Sequence, residues 1–379
     1  MQQSIPAVFM RGGTSKAIMF HARDLPDDPA RWEALFSAAM GSPDEYGRQL
    51  DGMGGGISSL SKVCVLAPSS RPDVDVDYTF AQVHVKTATV DYRSNCGNMS
   101  SAVGPFWLDE GFVQPDGESI TVRIFNTNTA KVIHSTFPVD GAMTQYDGDL
   151  VIPGVSGSGA PIRLDFLDPG GATTGRLLPS GHVTDHLEVD GFGAIEVSLV
   201  DAANATVFVR AADVGLSGLE LPTELEARPD TLDLLERIRR AASVAMGITA
   251  DLGAATTTTS VPFICLVSRP TESVTLSGAT IRRADADVLA RALSHGQPHR
   301  ALPLTVSLCL GVAARITGTI VAEALTTTAA GDMMRIAMPS GVLGVDARVS
   351  DDDGQWRAHA GTFYRTARRL FDGRVWLRH

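Results

Sequence analysis

A short internal repeat limits the folds that this chain can adopt. The segment ALFSAAMG at 34–41 precedes a glycine-rich loop and the strand-like run SKVCVLAPS, and RAASVAMG at 240–247 precedes TTTTS and the strand-like run VPFICLVSR. The shared AMG carries little information alone, but the order of the surrounding elements repeats as well. We therefore predict two copies of one unit with an α+β fold.

Most of the chain has the short apolar pattern of β-strands, and apolar residues recur at helical spacing in four places. The predicted helices cover residues 28–40, 98–109, 230–246 and 303–317. The predicted strands include residues 7–10, 17–20, 62–68, 82–90, 119–127, 130–137 and 194–200. The second and fourth helices have so little polar surface that other elements must enclose them. A sheet curved around one such helix, formed twice, meets this requirement.

The length of the chain, 379 residues, suits two domains rather than one core. We predict an amino-terminal domain at 1–184 and a carboxy-terminal domain at 185–379, with the junction in PSGHVTDHLEVDG. The final segment, RVWLRH, is a candidate to return to the first domain.

Composition and charge restrict the partners. The chain is 44% hydrophobic and 20% charged, and no apolar run approaches the ~20 residues of a membrane span. The net charge of −11 opposes a nucleic-acid partner, because phosphate binding requires a basic face. The first residues lack the pattern of a signal peptide. We expect a cytoplasmic enzyme with a small-molecule substrate, no nucleic acid and no membrane; the sequence leaves homo-oligomerisation open.

The four cysteines are predicted to be free thiols, because Cys64, Cys96, Cys265 and Cys309 have no CxxC spacing. Cys96 lies where a strand-like run meets the helix at 98–109. At the amino-terminal cap, the unpaired N–H groups and the helix dipole would stabilise a thiolate, and the same N–H groups would hold a carboxylate. Alternatively, Cys96 is a small buried thiol and a neighbouring asparagine caps the helix.

Lys62 is the second candidate for chemistry. Strand alternation places Lys62, Cys64 and Leu66 on one face and Val63 and Val65 on the other. Burial of a lysine is costly, and desolvation favours the neutral amine that can act as a base. Alternatively, the stem of Lys62 packs on apolar residues while its ammonium group reaches water.

Two glycine-containing loops precede these residues. The segment RGGTSK at 11–16 joins two short strands and is either an anion-binding turn or an ordinary hairpin. The loop Gly52–Gly56 either approaches a ligand closely or only forms a turn. It lacks both the GK[ST] of a phosphate-binding loop and the last glycine of GxGxxG, so nucleotide binding is not supported.

The two copies share a predicted scaffold but not their reactive groups. Where the first copy has its lysine, the second has Val261 or Pro262, and its segment HGQPHRALPLT contains no cysteine. We expect the site in the cleft between the copies. The second copy would supply His299, Arg300 and the helix N–H groups beyond Pro303 to hold a carboxylate.

Six motifs, in order from residue 10 to about 373, resemble the 2-methylaconitate isomerase (PrpF-type) family. They are MRGGTSKAIMF, DGMGGGISSLSKVCVL, NCGNMSSAVGPF, FLDPGGATTGRLLPSG, GQPHRALPLT and RTARRLFDG. The family also includes 3-methylitaconate Δ-isomerase, 4-oxalomesaconate tautomerase and aconitate Δ-isomerases. The chain differs from many relatives at 338–341, where it has MPSG in place of HPSG.

The resemblance implies a diaminopimelate epimerase-like α+β fold, in which two similar domains each curve a β-sheet around a central helix, with no cofactor and no metal. It implies that Lys62 and Cys96 are the catalytic pair. The residues predicted to bind substrate are Thr14, Ser15, Asn95, Gly97, Asn98, Met99, His299, Arg300, Thr305 and Ser340.

The implied activity is the movement of a double bond in an unsaturated di- or tricarboxylate, such as aconitate, 2-methylaconitate, methylitaconate or 4-oxalomesaconate. Loss of an allylic proton would give a dienolate, which is reprotonated at another carbon. Acid and base stay unassigned between Lys62 and Cys96, because a close pair titrates as a unit. One alternative is a cysteine-dependent racemase or epimerase, which the missing second cysteine opposes. Another is an accessory protein of an aconitase-type dehydratase.

Overall fold

The computed structural model describes residues 3–92, 96–259, 261–326 and 333–377. Its strands are β1 (Ser4–Gly12), β2 (Ser15–His21), β3 (Lys62–Pro68), β4 (Val76–Val83), β5 (Val90–Asp91), β6 (Ser119–Asn126), β7 (Lys131–Asp140), β8 (Met143–Thr144), β9 (Ile162–Leu167), β10 (Asp185–Val189), β11 (Gly193–Ala202), β12 (Asn204–Arg210), β13 (Phe263–Ser268), β14 (Ser273–Val274), β15 (Thr280–Ile281), β16 (Val288–Ser294), β17 (Gln297–Pro298), β18 (Met334–Met338), β19 (Gly341–Asp352), β20 (Gln355–Arg365) and β21 (Ala367–Trp376). Its α-helices are α1 (Trp32–Met40), α2 (Gly97–Asp109), α3 (Pro222–Glu226), α4 (Pro229–Ala245), α5 (Leu252–Ala255), α6 (Leu304–Ala314) and α7 (Ile320–Ala324).

The chain divides into two compact units, the first formed by Met1–Phe166 with Tyr364–His379 and the second by Leu167–Phe363. The division differs from the predicted boundary at 184/185. The reason is that the segment after β9 hydrogen-bonds to the turn after β11, where the amide of Ala203 donates to the Pro169 carbonyl at 2.7 Å. The last strand, β21, pairs antiparallel with β1 of the first unit.

The sheet of each unit has the same order of strand directions. In the first unit the neighbours are β21, β1, β2, β3, β4, β6, β7 and β9. In the second unit they are β10, β11, β12, β13, β16, β18, β19 and β20. In both, the third and fifth pairs are parallel and the others are antiparallel. The predicted duplication is confirmed by this common order.

The repeated AMG marks the same structural event in both units. A helix, α1 or α4, links two parallel strands, which require such a crossover. Gly41 ends α1 with φ of 76°, and Gly247 follows α4 with φ of 69°. This left-handed conformation after a helix favours glycine. The repeated tripeptide is therefore a helix stop that returns the chain to the sheet.

Helices α2 and α6 are the enclosed helices that the sequence predicts at 98–109 and 303–317. Every residue from Met99 to Leu108 is buried, as is every residue from Val306 to Ala313. A glycine allows each helix to approach its sheet closely. A β-carbon at Gly104 would lie 2.7 Å from Ser135 Oγ of β7.

Some elements differ from the sequence predictions. The strand predicted at 82–90 ends at Val83, because the His84 amide donates to the Thr89 carbonyl at 3.0 Å and closes a turn. Helices α3, α5 and α7 were not predicted, since each has five residues or fewer. No helix within the described ranges is long and apolar enough to cross a membrane. The cytoplasmic location stays a prediction.

Candidate active site

Lys62 is the first residue of β3, and strand alternation decides which way it points. Val63 and Val65 belong to the apolar core that contains Leu35 and Phe36 of α1, whereas Lys62 and Cys64 do not. The predicted alternation is therefore confirmed. Lys62 is buried, with 8% of its surface exposed.

The ammonium group of Lys62 contacts neutral groups. Nζ donates a hydrogen bond to Gln82 Oε1 at 2.5 Å and lies 5.0 Å from the centre of the Phe80 ring. Among the described residues, no carboxylate lies within ion-pair distance of this amine. The contacts of this buried amine are therefore a neutral acceptor and an aromatic ring rather than an ion pair.

Cys96 is the amino-terminal cap residue of α2, as predicted from the sequence. It has extended backbone angles (φ −105°, ψ 95°) and makes no capping hydrogen bond with its side chain. Within the described part of the chain, no hydrogen bond is formed by the backbone N–H groups of Gly97, Asn98 and Met99. Cys96 is half-buried, whereas the other three cysteines are fully buried. Its thiol therefore belongs to the cap residue of a helix whose first-turn N–H groups form no hydrogen bond among the described residues.

Cys64 connects the two candidate residues electrostatically. Burial raises the pKa of the Cys64 thiol far above its usual value, and a charge on Cys96 raises it further. The hydroxyl of Tyr78 and the charge of Lys62 act in the opposite direction. Cys64 is thus a neutral thiol whose pKa is influenced by the charges of both Lys62 and Cys96.

Arg365 is a residue of this region that sequence reasoning missed. Burial lowers the pKa of its guanidinium to about 10, and a charge on Cys96 acts to raise it. Its Nε donates to Asn98 Oδ1 at 3.0 Å, in the first turn of α2. Arg365 is the first residue of the motif RTARRLFDG, which is one of the six motifs that resemble the family. The local sequence pattern does not predict that this arginine contacts the start of α2.

The RGGTSK segment forms a two-residue hairpin that packs on the first turn of α2. Gly12 pairs with Ser15 across the hairpin, and a β-carbon at Gly12 would lie 2.6 Å from the Asn98 carbonyl oxygen. Asn98 Nδ2 donates to Thr14 Oγ1 at 3.1 Å. Thr14 is exposed and Ser15 is buried. The glycines are thus explained by close packing.

The glycine-rich loop before β3 is held by Gln49. A β-carbon at Gly54 would lie 2.2 Å from Gln49 Oε1, and one at Gly52 would lie 2.1 Å from the Gly41 amide nitrogen. Gln49 Oε1 also accepts from the Ser61 hydroxyl at 2.6 Å. These glycines make room for packing within the loop. This favours a role in forming the turn over a close approach to a ligand.

The remaining predicted residues of the first group differ in accessibility. Gly97 and Met99 are buried, and Met99 has no exposed surface. Asn95 lies outside the described residues. A role for these residues in binding stays a prediction.

The second predicted group belongs to the second unit. His299 Nε2 and Ser294 Oγ are 2.8 Å apart, and burial and the charge of His295 lower the pKa of His299. Thr305, the second residue of α6, accepts from Asn204 Nδ2 at 3.4 Å. His299 is therefore neutral at pH 7, and it would contact a substrate by hydrogen bonding rather than by charge.

Arg300 and Ser340 complete the second group. Arg300 is exposed and lies 3.8 Å from a Glu226 carboxylate oxygen. Ser340 Oγ is buried and has no hydrogen-bond partner among the described residues. Two residues earlier, Met338 Sδ accepts from the Leu302 amide at 3.3 Å. The methionine of MPSG thus supports the segment before α6. The substrate role of this group stays a prediction.

The family model described as PrpF protein matches residues 2–378 of this chain. The chain belongs to the PrpF protein family. Its relatives include a 3-methylitaconate isomerase from Eubacterium barkeri, 40% identical over 99% of this chain and 98% of the relative. A 2-methyl-aconitate isomerase from Cupriavidus necator is 37% identical over 100% of this chain and 97% of the relative. This PrpF family protein is an enzyme of the isomerase class.

Solved structures place the fold. A methylitaconate-delta-isomerase crystal structure has a TM-score of 0.92 and 41% identity, covering 99% of this chain and 96% of that chain. A hydroxyproline epimerase from Agrobacterium vitis has a TM-score of 0.50 at 12% identity, covering 100% of this chain and 94% of that chain, and this likeness concerns the fold alone. The predicted α+β, epimerase-like fold class is confirmed.

Proposed function

We propose that this PrpF family protein moves a proton and the adjacent double bond in an unsaturated di- or tricarboxylate, with Lys62 and Cys96 as the proton-carrying groups. One observation carries the proposal. Lys62 is a buried amine that has no carboxylate partner among the described residues, and Cys96 is a half-buried thiol at the amino-terminal cap of α2. The names of the relatives, which act on methylitaconate and methyl-aconitate, support the substrate class.

The site offers local donors for carboxylates in a protein whose net charge of −11 opposes anions overall. The first-turn N–H groups of α2 lie at the positive end of the helix dipole. Arg365 adds a partly buried cation, whose Nε is hydrogen-bonded to Asn98 at the same helix end. We assign the substrate carboxylate next to the reacting carbon to these donors, because they would stabilise the charge of the dienolate.

The proton moves in two balanced steps. In the first, a base takes an allylic proton, and the C–H electron pair enters the conjugated system that ends on the carboxylate. In the second, an acid returns a proton to another carbon, so that the double bond has moved and no atom is gained or lost. Lys62 and Cys96 fill these two roles, and their order depends on the substrate.

Two other functions compete with this proposal. A racemase with one cysteine in each half would require a second thiol at the start of α6, where the cap residue is Pro303. The described second unit contains only buried cysteines, Cys265 and Cys309. An accessory role beside a dehydratase predicts copurification without turnover.

The test is exchange of substrate hydrogen with solvent. The protein is incubated in heavy water with cis- and trans-aconitate, 2-methylaconitate, methylitaconate and 4-oxalomesaconate, and deuterium uptake and alkene position are followed by NMR. We expect uptake and a shifted or inverted double bond for at least one acid. Absence of exchange into all of them would refute the proposal, and loss of α-hydrogen from an amino acid would favour the racemase.

A further inference from the structure

We propose that Gln82 is a positioning residue that orients the amine of Lys62 and tunes its proton affinity. Its kinetic consequence rests on the function proposed above, whereas its effect on the Lys62 amine does not. Gln82 lies on β4 directly opposite Lys62 on β3, and the side chains join through Oε1 and Nζ at 2.5 Å. Neither a motif nor a spacing in the sequence marks Gln82.

The orientation of the Gln82 amide is fixed by its other end. Nε2 donates to the main-chain carbonyls of Ser58 and Ser61, both at 3.0 Å. An amide NH₂ group has two hydrogens, and both are used by these carbonyls. If the amide were rotated by half a turn, its oxygen would face two carbonyl oxygens and its NH₂ group would face the amine of Lys62. Both contacts would be repulsive. The oxygen must therefore face Lys62.

The carbonyls that hold Gln82 are themselves fixed. The Ser61 hydroxyl lies 2.6 Å from Gln49 Oε1 and 2.9 Å from the Ile57 carbonyl oxygen, so its one hydrogen lies between these two acceptors. Gln49 in turn donates to Ser42 Oγ at 2.9 Å and accepts from the Gly56 amide at 2.9 Å. The glycine-rich loop is thus connected through two glutamines to the amine. This chain of contacts gives the loop a structural link to the proposed reaction.

An amide suits this position better than a carboxylate. A carboxylate could not donate to the two carbonyls, and at this distance from the amine it would form an ion pair that holds the proton on Lys62. A neutral acceptor fixes the direction of one N–H bond. The ring of Phe80, 5.0 Å from Nζ, restricts the amine from another side. The free positions of the nitrogen then point away from both groups.

The experiment measures the Lys62 amine directly. Trace labelling with acetic anhydride across a pH series, read by mass spectrometry at Lys62 and normalised to exposed Lys86, gives the pH of half-maximal labelling. It is applied to the wild-type protein, Gln82→Glu and Gln82→Met. We expect the midpoint to rise by about one unit or more in Gln82→Glu, since the carboxylate favours the ammonium form. We expect a fall of about one unit in Gln82→Met, since the ammonium loses an acceptor.

The matched controls are Gln145→Glu and Gln145→Met. Gln145 is an exposed residue of the same unit, and its amide donates only to the Asp147 carbonyl among the described residues. Both controls should leave the midpoint unchanged. If Gln82 only supports the loop, its two variants will shift the midpoint in the same direction or not at all, and the inference is overturned. Opposite shifts support it, even if the wild-type protein turns over none of the acids.

Kinetics supply a second readout where a substrate is turned over. In Gln82→Met the amine loses the acceptor that orients it, so kcat should fall about 10- to 100-fold. KM should change less than about threefold, because attraction for the anion remains. A rise in KM with kcat unchanged would contradict a positioning role. Circular dichroism and urea unfolding of each variant exclude loss of fold as the cause.

Discussion

The two units use matching residues where they build the scaffold. In the first, Asp75 precedes β4 and binds Arg123 of β6 through two side-chain bonds of 2.7 and 3.1 Å. In the second, Asp287 precedes β16 and binds Arg335 of β18 through bonds of 2.9 and 3.2 Å. Each aspartate also accepts the backbone amide of its arginine. The same paired contact joins equivalent parallel strands twice.

A second contact repeats with its residues exchanged. In the first unit Asn98, in the first turn of α2, donates to Thr14 of the hairpin. In the second unit Thr305, at the same position of α6, accepts from Asn204 at the start of β12. The amide and the hydroxyl have changed places while the contact is kept. Geometry is therefore retained where the identity of a residue is not.

The units differ where chemistry is proposed. The register of β12 and β13 pairs Thr206 with Phe263, whereas that of β2 and β3 pairs Ala17 with Lys62. Phe263, rather than the predicted Val261 or Pro262, is thus the counterpart of the lysine. The cap of the central helix is Cys96 in one unit and Pro303 in the other. One unit thus has the two proposed proton-carrying groups, and the other has a phenylalanine and a proline at the equivalent positions.

The strongest test of this asymmetry is Lys62→Ala. The change removes the proposed base and the charge that attracts an anion, so we expect turnover to fall at least about 10⁴-fold. Initial rates on any acid that exchanges deuterium provide the measurement. Lys86→Ala, an exposed lysine of the same unit, is the control for charge. Near-normal turnover by a folded Lys62→Ala protein would move the search for the base to another group, with His299 first.

Cys96→Ser is expected to have the second largest effect. Serine keeps the size of the cap residue but hardly ionises, so we expect kcat to fall on the order of 10²–10⁴-fold. Cys309→Ala removes the thiol of the counterpart helix α6 and should leave kcat within about threefold. Equal losses in the two variants would show that helix packing, rather than proton transfer, causes the effect.

Asp75→Ala and Asp287→Ala test the shared part of the scaffold. Each change leaves an arginine without its paired partner, and we expect each to lower the free energy of unfolding by about 1–3 kcal/mol. Urea denaturation measures this loss, and kcat should stay within about threefold. Losses that differ by more than about 2 kcal/mol would show that the repeated contact does not have a repeated role.

The stability that Asp75 contributes should depend on pH. Burial raises the pKa of Asp75, but the hydrogen bonds and charge of Arg123 lower it more, so the folded-state pKa lies below the usual value. The stabilisation is therefore present above the unfolded-state pKa and is lost as pH falls through the folded-state pKa. The stability difference between wild type and Asp75→Ala should shrink in acid. A constant difference down to pH about 2 would contradict this linkage.

The smallest effect is expected for His299→Gln. Burial and the charge of His295 lower the pKa of His299, so the imidazole is neutral at pH 7. Because glutamine keeps an N–H donor, KM at pH 7 should change less than about threefold. The wild-type protein should lose stability relative to the variant as pH falls below about 6.5, where the unfolded state binds the proton more readily. A large loss of affinity at pH 7 would show that a charged imidazole binds the substrate.

The sequence predicted the parts of the site that depend on local pattern. The position of Cys96 at a helix cap follows from the spacing of the apolar residues next to it. The same spacing places Lys62 on the face of β3 that points away from the core formed with α1. The enclosed helices follow from their lack of polar surface. The strand predicted at 82–90 was wrong because alternation does not show where a turn closes.

What the sequence by itself determined is therefore the duplicated α+β unit, its two central helices and the two residues that stand out by local environment. Only the tertiary structure identified Gln82, 20 residues from Lys62, and Arg365, 267 residues from Asn98. The physical reason is that strand register brings these side chains together. Register depends on the pairing of distant segments, and no local periodicity records it.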